Sequence, residues 1–133
     1  MNGANVFVDS NVLLYLLSDD ESKAERAGAL VDAAPFISVQ ILNEFVAISR
    51  RKFKLTWPEV HVALAPIKTF CKILELTRDM HERALDIAEE TGIQIYDANI
   101  VSAAEFSGCD TLFTEDLNEG QRIGSVTIRN PFA

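Results

Sequence analysis

The chain has 133 residues, the span of one domain, and 48% of them are apolar, which gives core enough to exclude a disordered chain. Its formal net charge of −8 excludes a surface that grips nucleic acid by bulk positive charge. It leaves open nucleic acid handled through a local basic strip or through bound divalent cations. Cys71 and Cys109 lie far apart with no CxxC spacing, and His61 and His81 lack metal-ligand spacing, so a disulfide framework and a zinc site are not expected. No apolar run approaches the ~20 residues of a membrane span, and the first residues lack the basic start of a signal peptide. The expectation is a soluble, cytoplasmic protein.

The first predicted element is a buried strand, Val6-Phe7-Val8, ending on Asp9 and passing at once into a helix over 11–17. Ser18 to Ser22 is a polar break, and its acids Asp19, Asp20 and Glu21 suit a solvated helix start. An amphipathic helix over 21–33 follows, with Ala24, Ala27, Leu30 and Val31 on one face. Pro35-Phe36-Ile37-Ser38 predicts a short strand, and Ser38 can cap a helix over 39–52. Arg50, Arg51, Lys52 and Lys54 then form the most basic stretch. Thr56 and Glu59 have capping-box spacing for a helix ending near Cys71, with Pro66 implying a kink or break. Ile73-Leu74-Glu75-Leu76 is a third strand. Thr77 caps a helix that Gly92 stops after Thr91. After an extended link at Gln94-Ile95-Tyr96, Asp97 opens a helix over 98–107. Thr111 to Thr114 is a fourth strand, 117–124 a polar loop, and Val126-Thr127-Ile128 the last strand. Strands alternating with helices predict one α/β domain over residues 1–133, a central parallel sheet with helices on both faces.

Four acids are poorly explained by folding. Asp9 and Asp116 follow parallel strands, where ligands of open α/β sheets bind. Glu44 falls beside Ile41 and Ile48 on the apolar stripe of its helix. Asp97 opens a helix whose inner face carries Val101 and Ala104. Taken singly, an N-cap serves for Asp9 and Asp97, a snorkelling edge residue for Glu44, and a turn residue for Asp116. Taken together, all four belong at one edge of the sheet. Carboxylates gathered there repel and raise their own proton affinities. Hard divalent cations relieve this, and an oxygen-only donor set suits Mg²⁺ or Mn²⁺.

The segments Val8-Asp9-Ser10-Asn11-Val12-Leu13, Asn43-Glu44, Tyr96-Asp97-Ala98 and Phe113-Thr114-Glu115-Asp116-Leu117, in this order, resemble the PIN-domain nucleases. The length and the closing Asn130-Pro131-Phe132 are similar to the VapC-type toxins of toxin–antitoxin pairs. The resemblance covers essentially the whole chain. It implies a metal-dependent ribonuclease with catalytic and metal-holding acids at Asp9, Glu44, Asp97 and Asp116. It also implies support from Ser10, Asn11 and Thr114, products with 5′-phosphate and 3′-hydroxyl ends, a cognate antitoxin and a homodimer. The family often has a further acid or Asn near the third position. Asn99 is the nearby candidate, but two residues on it is expected to point away from the face of Asp97.

Arg50, Arg51, Lys52 and Lys54 either hold RNA backbone or complement the helix macrodipole. Phe45, Phe53 and Trp57 are expected in the core. The face of Ala24, Ala27, Leu30 and Val31 is either core or an interface for a second copy or an antitoxin. Two rivals remain: a non-catalytic RNA- or protein-binding module of the same fold, and a phosphatase with Asp9 as nucleophile. The second rival requires an acid two residues on, where this chain has Asn11.

Overall fold

The computed structural model describes residues 5–133. In chain order its elements are β1 (Val6–Val8), α1 (Ser10–Leu13), a 3₁₀ turn (Leu14–Leu17), α2 (Glu21–Asp32), β2 (Phe36–Ser38), α3 (Val39–Arg51), α4 (Trp57–Phe70), β3 (Lys72–Leu74), α5 (Arg78–Thr91), α6 (Ile95–Phe106), β4 (Thr111–Phe113), β5 (Arg122–Ile123) and β6 (Val126–Arg129). The strands form a single sheet in the order β3-β2-β1-β4-β6-β5, parallel except for β5 against β6. Two strand residues are too few to carry a pattern, so β5 lies unheralded inside the expected polar loop.

Every residue of β1 and of β4 is buried, which requires cover on both faces. The connections supply it. From β1 to β2 to β3 the chain steps one way along the sheet, and from β3 to β4 it steps back across β1. Right-handed crossovers therefore put α1 to α4 on one face and α5 and α6 on the other. Contacts follow this division, with α5 packed on α6 and with α2 and α3 packed on α4. Phe7, Phe45, Leu13, Ile37, Ile41 and Leu112 are among the fully buried side chains of one continuous core. Ala27, Leu30 and Val31 are buried in the chain's own packing, so that part of the α2 face is core, while Ala24 is half-buried.

The expected caps form. The Oγ of Ser38 accepts from the N–H of Ile41, Thr77 does the same for Met80, and Thr56 and Glu59 make a reciprocal capping box. The helix α4 runs on through Pro66, an exposed residue, so of the kink or break expected there the break does not occur. Two expectations fail. The link before Asp97 is helical: α6 starts at Ile95, with Gln94 as an N-cap that makes no side-chain bond. Trp57 is 55% exposed and Phe53 lies on the surface, while Phe45 alone of the three aromatics is core. Among the described residues, no helix is long and apolar enough to cross a membrane.

Candidate active site

The order of the strands reverses between β1 and β4, the switch point where α/β sheets open a crevice at their carboxyl ends. The register pairs Val8 with Phe113, so Asp9 and Thr114 emerge side by side. Asp9 is 5% exposed and heavily bonded. Its Oδ1 accepts from the backbone N–H of Ser10 at 2.7 Å, which caps α1, and its Oδ2 accepts from the hydroxyl of Thr114 at 2.8 Å. The capping reading of Asp9 is therefore true without being sufficient, because a four-residue helix does not need a buried carboxylate. Thr114 Oγ1 in turn accepts from the Asn11 amide at 3.2 Å and from the Asp116 N–H at 3.1 Å. With those two bonds in place, the Thr114 proton is directed at Asp9 and keeps it an acceptor.

Ser10 links Asp9 to the third crossover element. Its hydroxyl stands 3.4 Å from Asp9 Oδ1 and 3.4 Å from Glu44 Oε1. One hydroxyl proton serves one carboxylate at a time. Glu44 is half-buried on α3, one residue before the fully buried Phe45, as its place on the helix wheel required. Asp97, in the first turn of α6, is half-buried and is not the N-cap, so the capping explanation for it is withdrawn. Asp116 is exposed, in a bend beyond β4. Asn99 is half-buried, and its Oδ1 is a buried acceptor with no hydrogen-bond partner among the described residues.

The electrostatics tie the four acids together. Burial pushes the Asp9 carboxyl up to about 6; its bonds to Thr114 and Ser10 oppose this, and the charges of Glu44 and Asp116 add to it. Burial also raises Glu44, with Asp97 and Asp116 contributing repulsion, and it raises Asp97, with Asp116 contributing. No salt bridge among the described residues involves any of the four. Partly buried carboxylates that repel one another and lack a protein cation are an oxygen donor set fitted to a hard divalent ion. Among the described residues, no three such side chains stand close enough to grip one ion, so the acids converge without closing.

Of the basic stretch, Arg50 is occupied. Its guanidinium donates to the carbonyl of Leu55 at 2.8 Å and stacks 4.3 Å from the ring centroid of Trp57. This is a helix-end fastening, and it accounts for the exposed tryptophan. Arg51, Lys52 and Lys54 are exposed. Lys52 lines a groove of about 540 Å³ with Asn11, Tyr15, Asp19, Asp20, Phe53 and Glu115, beside the loop that carries Asp116 but lined by none of the four site acids. Sequence reasoning overlooked Tyr15 and Glu115. The Tyr15 hydroxyl donates to Glu115 Oε1 at 2.8 Å, across a separation of 100 positions, and nothing local in the sequence signals such a pair.

A mostly parallel sheet with carboxylates at its switch point, unpaired by any salt bridge among the described residues, defines an α/β domain with an acidic crevice. The PIN domain profile matches residues 6–122, and the chain belongs to the PIN domain family. A sequence comparison with curated proteins finds no match. Among solved structures, the chain is similar to a toxin–antitoxin complex from Klebsiella pneumoniae, at 21% identity and a TM-score of 0.71, covering 95% of this chain and 97% of that one. It is similar to VapBC2 from Rickettsia felis, bound to a DNA fragment from its promoter, at 20% identity and a TM-score of 0.68, covering 94% and 97%. It is also similar to Mycobacterium tuberculosis VapC20, a toxin that cleaves the sarcin–ricin loop, at 20% identity and a TM-score of 0.64, covering 84% and 91%. At these identities the likeness carries the fold.

Proposed function

We propose that this chain, one PIN domain over residues 1–133, is a divalent-metal-dependent endoribonuclease and the toxin of a toxin–antitoxin pair. The observation that carries this is the set Asp9, Glu44, Asp97 and Asp116. The first three are buried or half-buried and raised by that burial and by their neighbours' charge, the fourth is exposed beside them, and none is paired with a protein cation among the described residues. Asp9, Asp97 and Asp116 would hold Mg²⁺ or Mn²⁺, and Glu44 a second ion or the attacking water. A bound ion there supplies a more acidic water and neutralises charge on the phosphate.

The residues of the chain do the rest. Ser10 and Thr114 fix the direction of the Asp9 carboxylate, since each donates to a different oxygen. Glu44 has a raised proton affinity and half-exposure, which suit it to take a proton from water. The exposed Arg51, Lys52 and Lys54 would meet the backbone of the RNA. The similar structures include toxin–antitoxin complexes, and this supports an antitoxin protein as the partner, with a second copy of the chain completing the assembly.

A non-catalytic module of this fold gains no support, because all four acid positions are filled. The phosphatase reading loses its general acid as well: Asn11 bonds Thr114 and receives the Glu115 N–H, so it serves the acid loop as an amide. The test is incubation with mixed cellular RNA, with chelator or with Mn²⁺, followed by mapping of new ends. Mn²⁺-dependent cuts with 5′-phosphate ends are expected, and they should disappear in Asp97→Asn. Cleavage that persists in chelator, or in Asp97→Asn, overturns the proposal.

A further inference from the structure

The four acids are not equally held. Asp9 is fixed by bonds to both oxygens, and Glu44 and Asp97 are built into helices. Asp116 is exposed, lies outside any regular element, and is tied only by its backbone N–H to Thr114. Its loop is held on both sides, by Leu117 packed against the core and by the residue before it. The Glu115 N–H reaches Asn11 Oδ1 at a long 3.4 Å, whereas the Glu115 carboxylate receives the phenol of Tyr15 at 2.8 Å. This is the shortest bond from the helical layer to the loop.

Tyr15 is itself braced. The ring of Phe132 packs edge-on at 4.5 Å, and the ammonium of Lys23 stands 4.8 Å from the Tyr15 centroid and 5.7 Å from that of Phe132. Phe132 is seated by its own N–H on Asn130 Oδ1 at 2.9 Å, and Arg26 donates to the Pro131 carbonyl at 3.2 Å. An unbroken line of contacts thus runs from the closing Asn130-Pro131-Phe132, through Tyr15 and Glu115, to Asp116. A phenol is protonated at neutral pH in any case, and the hydrogen bond to Glu115 holds this one further above its ordinary range.

We propose that Tyr15 is a positioning residue for Asp116, its phenol holding Glu115 as a latch braced by the C-terminal Phe132. The proposal rests on the metal-dependent reading of the site. It predicts a separation of effects, since the latch orders a ligand without touching substrate. Tyr15→Phe keeps the ring, the edge contact and the cation above it, and removes only the hydroxyl.

The test uses the full chain, with Mn²⁺ titrated calorimetrically into metal-free protein, melting in chelator, and RNA cleavage. Loss of one net hydrogen bond should weaken Mn²⁺ binding in Tyr15→Phe by roughly fivefold to tenfold. Its kcat at saturating Mn²⁺ should stay within about twofold of wild type, with KM for RNA unchanged. Phe132→Ala should weaken Mn²⁺ binding in the same direction. Glu115→Gln keeps an acceptor for the phenol and should bind nearly as wild type. Glu115→Ala should match Tyr15→Phe, and the double variant should be no worse than either single one. A Tyr15→Phe protein with wild-type Mn²⁺ affinity, or a double variant whose loss multiplies the single losses, overturns the latch. So does a lowered melting point with unchanged affinity. If wild type binds Mn²⁺ and cleaves RNA while Tyr15→Phe does not differ, the latch alone falls. If wild type binds no Mn²⁺, the nuclease reading falls and the latch with it.

Discussion

The buried Asp9 makes the metal-free protein sensitive to pH in a direction opposite to ordinary acid denaturation. The unfolded carboxyl titrates near 3.8 and the folded one near 6. Below pH 3.8 both states carry the proton, and ionisation of Asp9 costs nothing. Between the two values the folded state keeps a proton that the unfolded state has released, so each pH unit removes stability. Above about pH 6 both states are ionised and the full penalty stands. A shift of roughly two units at ~1.4 kcal/mol per unit gives about 3 kcal/mol, or roughly 10 °C in a domain of this size. Other acids titrate over the same range, so the assay is a difference: urea melts of wild type and Asp9→Asn in chelator from pH 4 to 7.5. The new amide places a donor against Thr114 Oγ1, which already accepts two bonds, and this fixed offset does not depend on pH. Wild type should lose about 2 kcal/mol relative to the variant between pH 4 and pH 6.5, the first part of the penalty being already present at pH 4, and then run nearly parallel to it. Excess Mn²⁺ should shrink the difference by displacing the proton. A difference that stays flat across the range refutes the account of a carboxylate buried without a cation.

Other expectations follow from the same geometry. Glu44→Gln should abolish cleavage while raising the melting point in chelator, because it removes a half-buried charge facing other acids; a lowered melting point would contradict this. Lys52→Ala should weaken RNA binding across sequences and reduce its salt slope by about one, whereas Arg50→Ala should lower the melting point and leave that slope nearly unchanged; salt titrations of both variants decide it. Gly124 sits at φ +58, and a Cβ there would meet the Glu105 carboxylate, the movable end of a flexible side chain, so Gly124→Ala should displace the Arg83–Glu105 pair and cost about 1–2 kcal/mol, chiefly from the left-handed backbone. Mn²⁺ affinity of that variant, measured by calorimetry, should be that of wild type.

The parts of the fold that declare themselves locally were legible in the sequence. Ser38, Thr56 and Thr77 are caps because a short side-chain oxygen precedes each apolar run, and Gly92 ends its helix in the left-handed conformation at φ +80. Asp9 and Asp116 were placed by the strands before them. Glu44 was placed by helical periodicity. The start of α6 was misjudged because Gln94 gives no capping signal and Ile95-Tyr96 reads as extended. Trp57 was misjudged because burial was inferred from side-chain type, when its partner is a cation on another element. Tyr15 and Glu115 were invisible for a related reason. Neither stands out among its neighbours, and only the pairing of β1 with β4 brings them together.

That pairing also sets when the protein can act during its own synthesis. The acids come from residues 9, 44, 97 and 116, and β1 gains its second neighbour only when Thr111–Phe113 has been made. A nascent chain that stops short of β4 lacks Thr114 to aim Asp9 and lacks Asp116 altogether. β6 then closes the far side of β4, and Phe132 packs on Tyr15 only after β6 has been made. A ribosome that has not yet made β4 and β6 carries an unassembled site, and products ended before them are incomplete by construction.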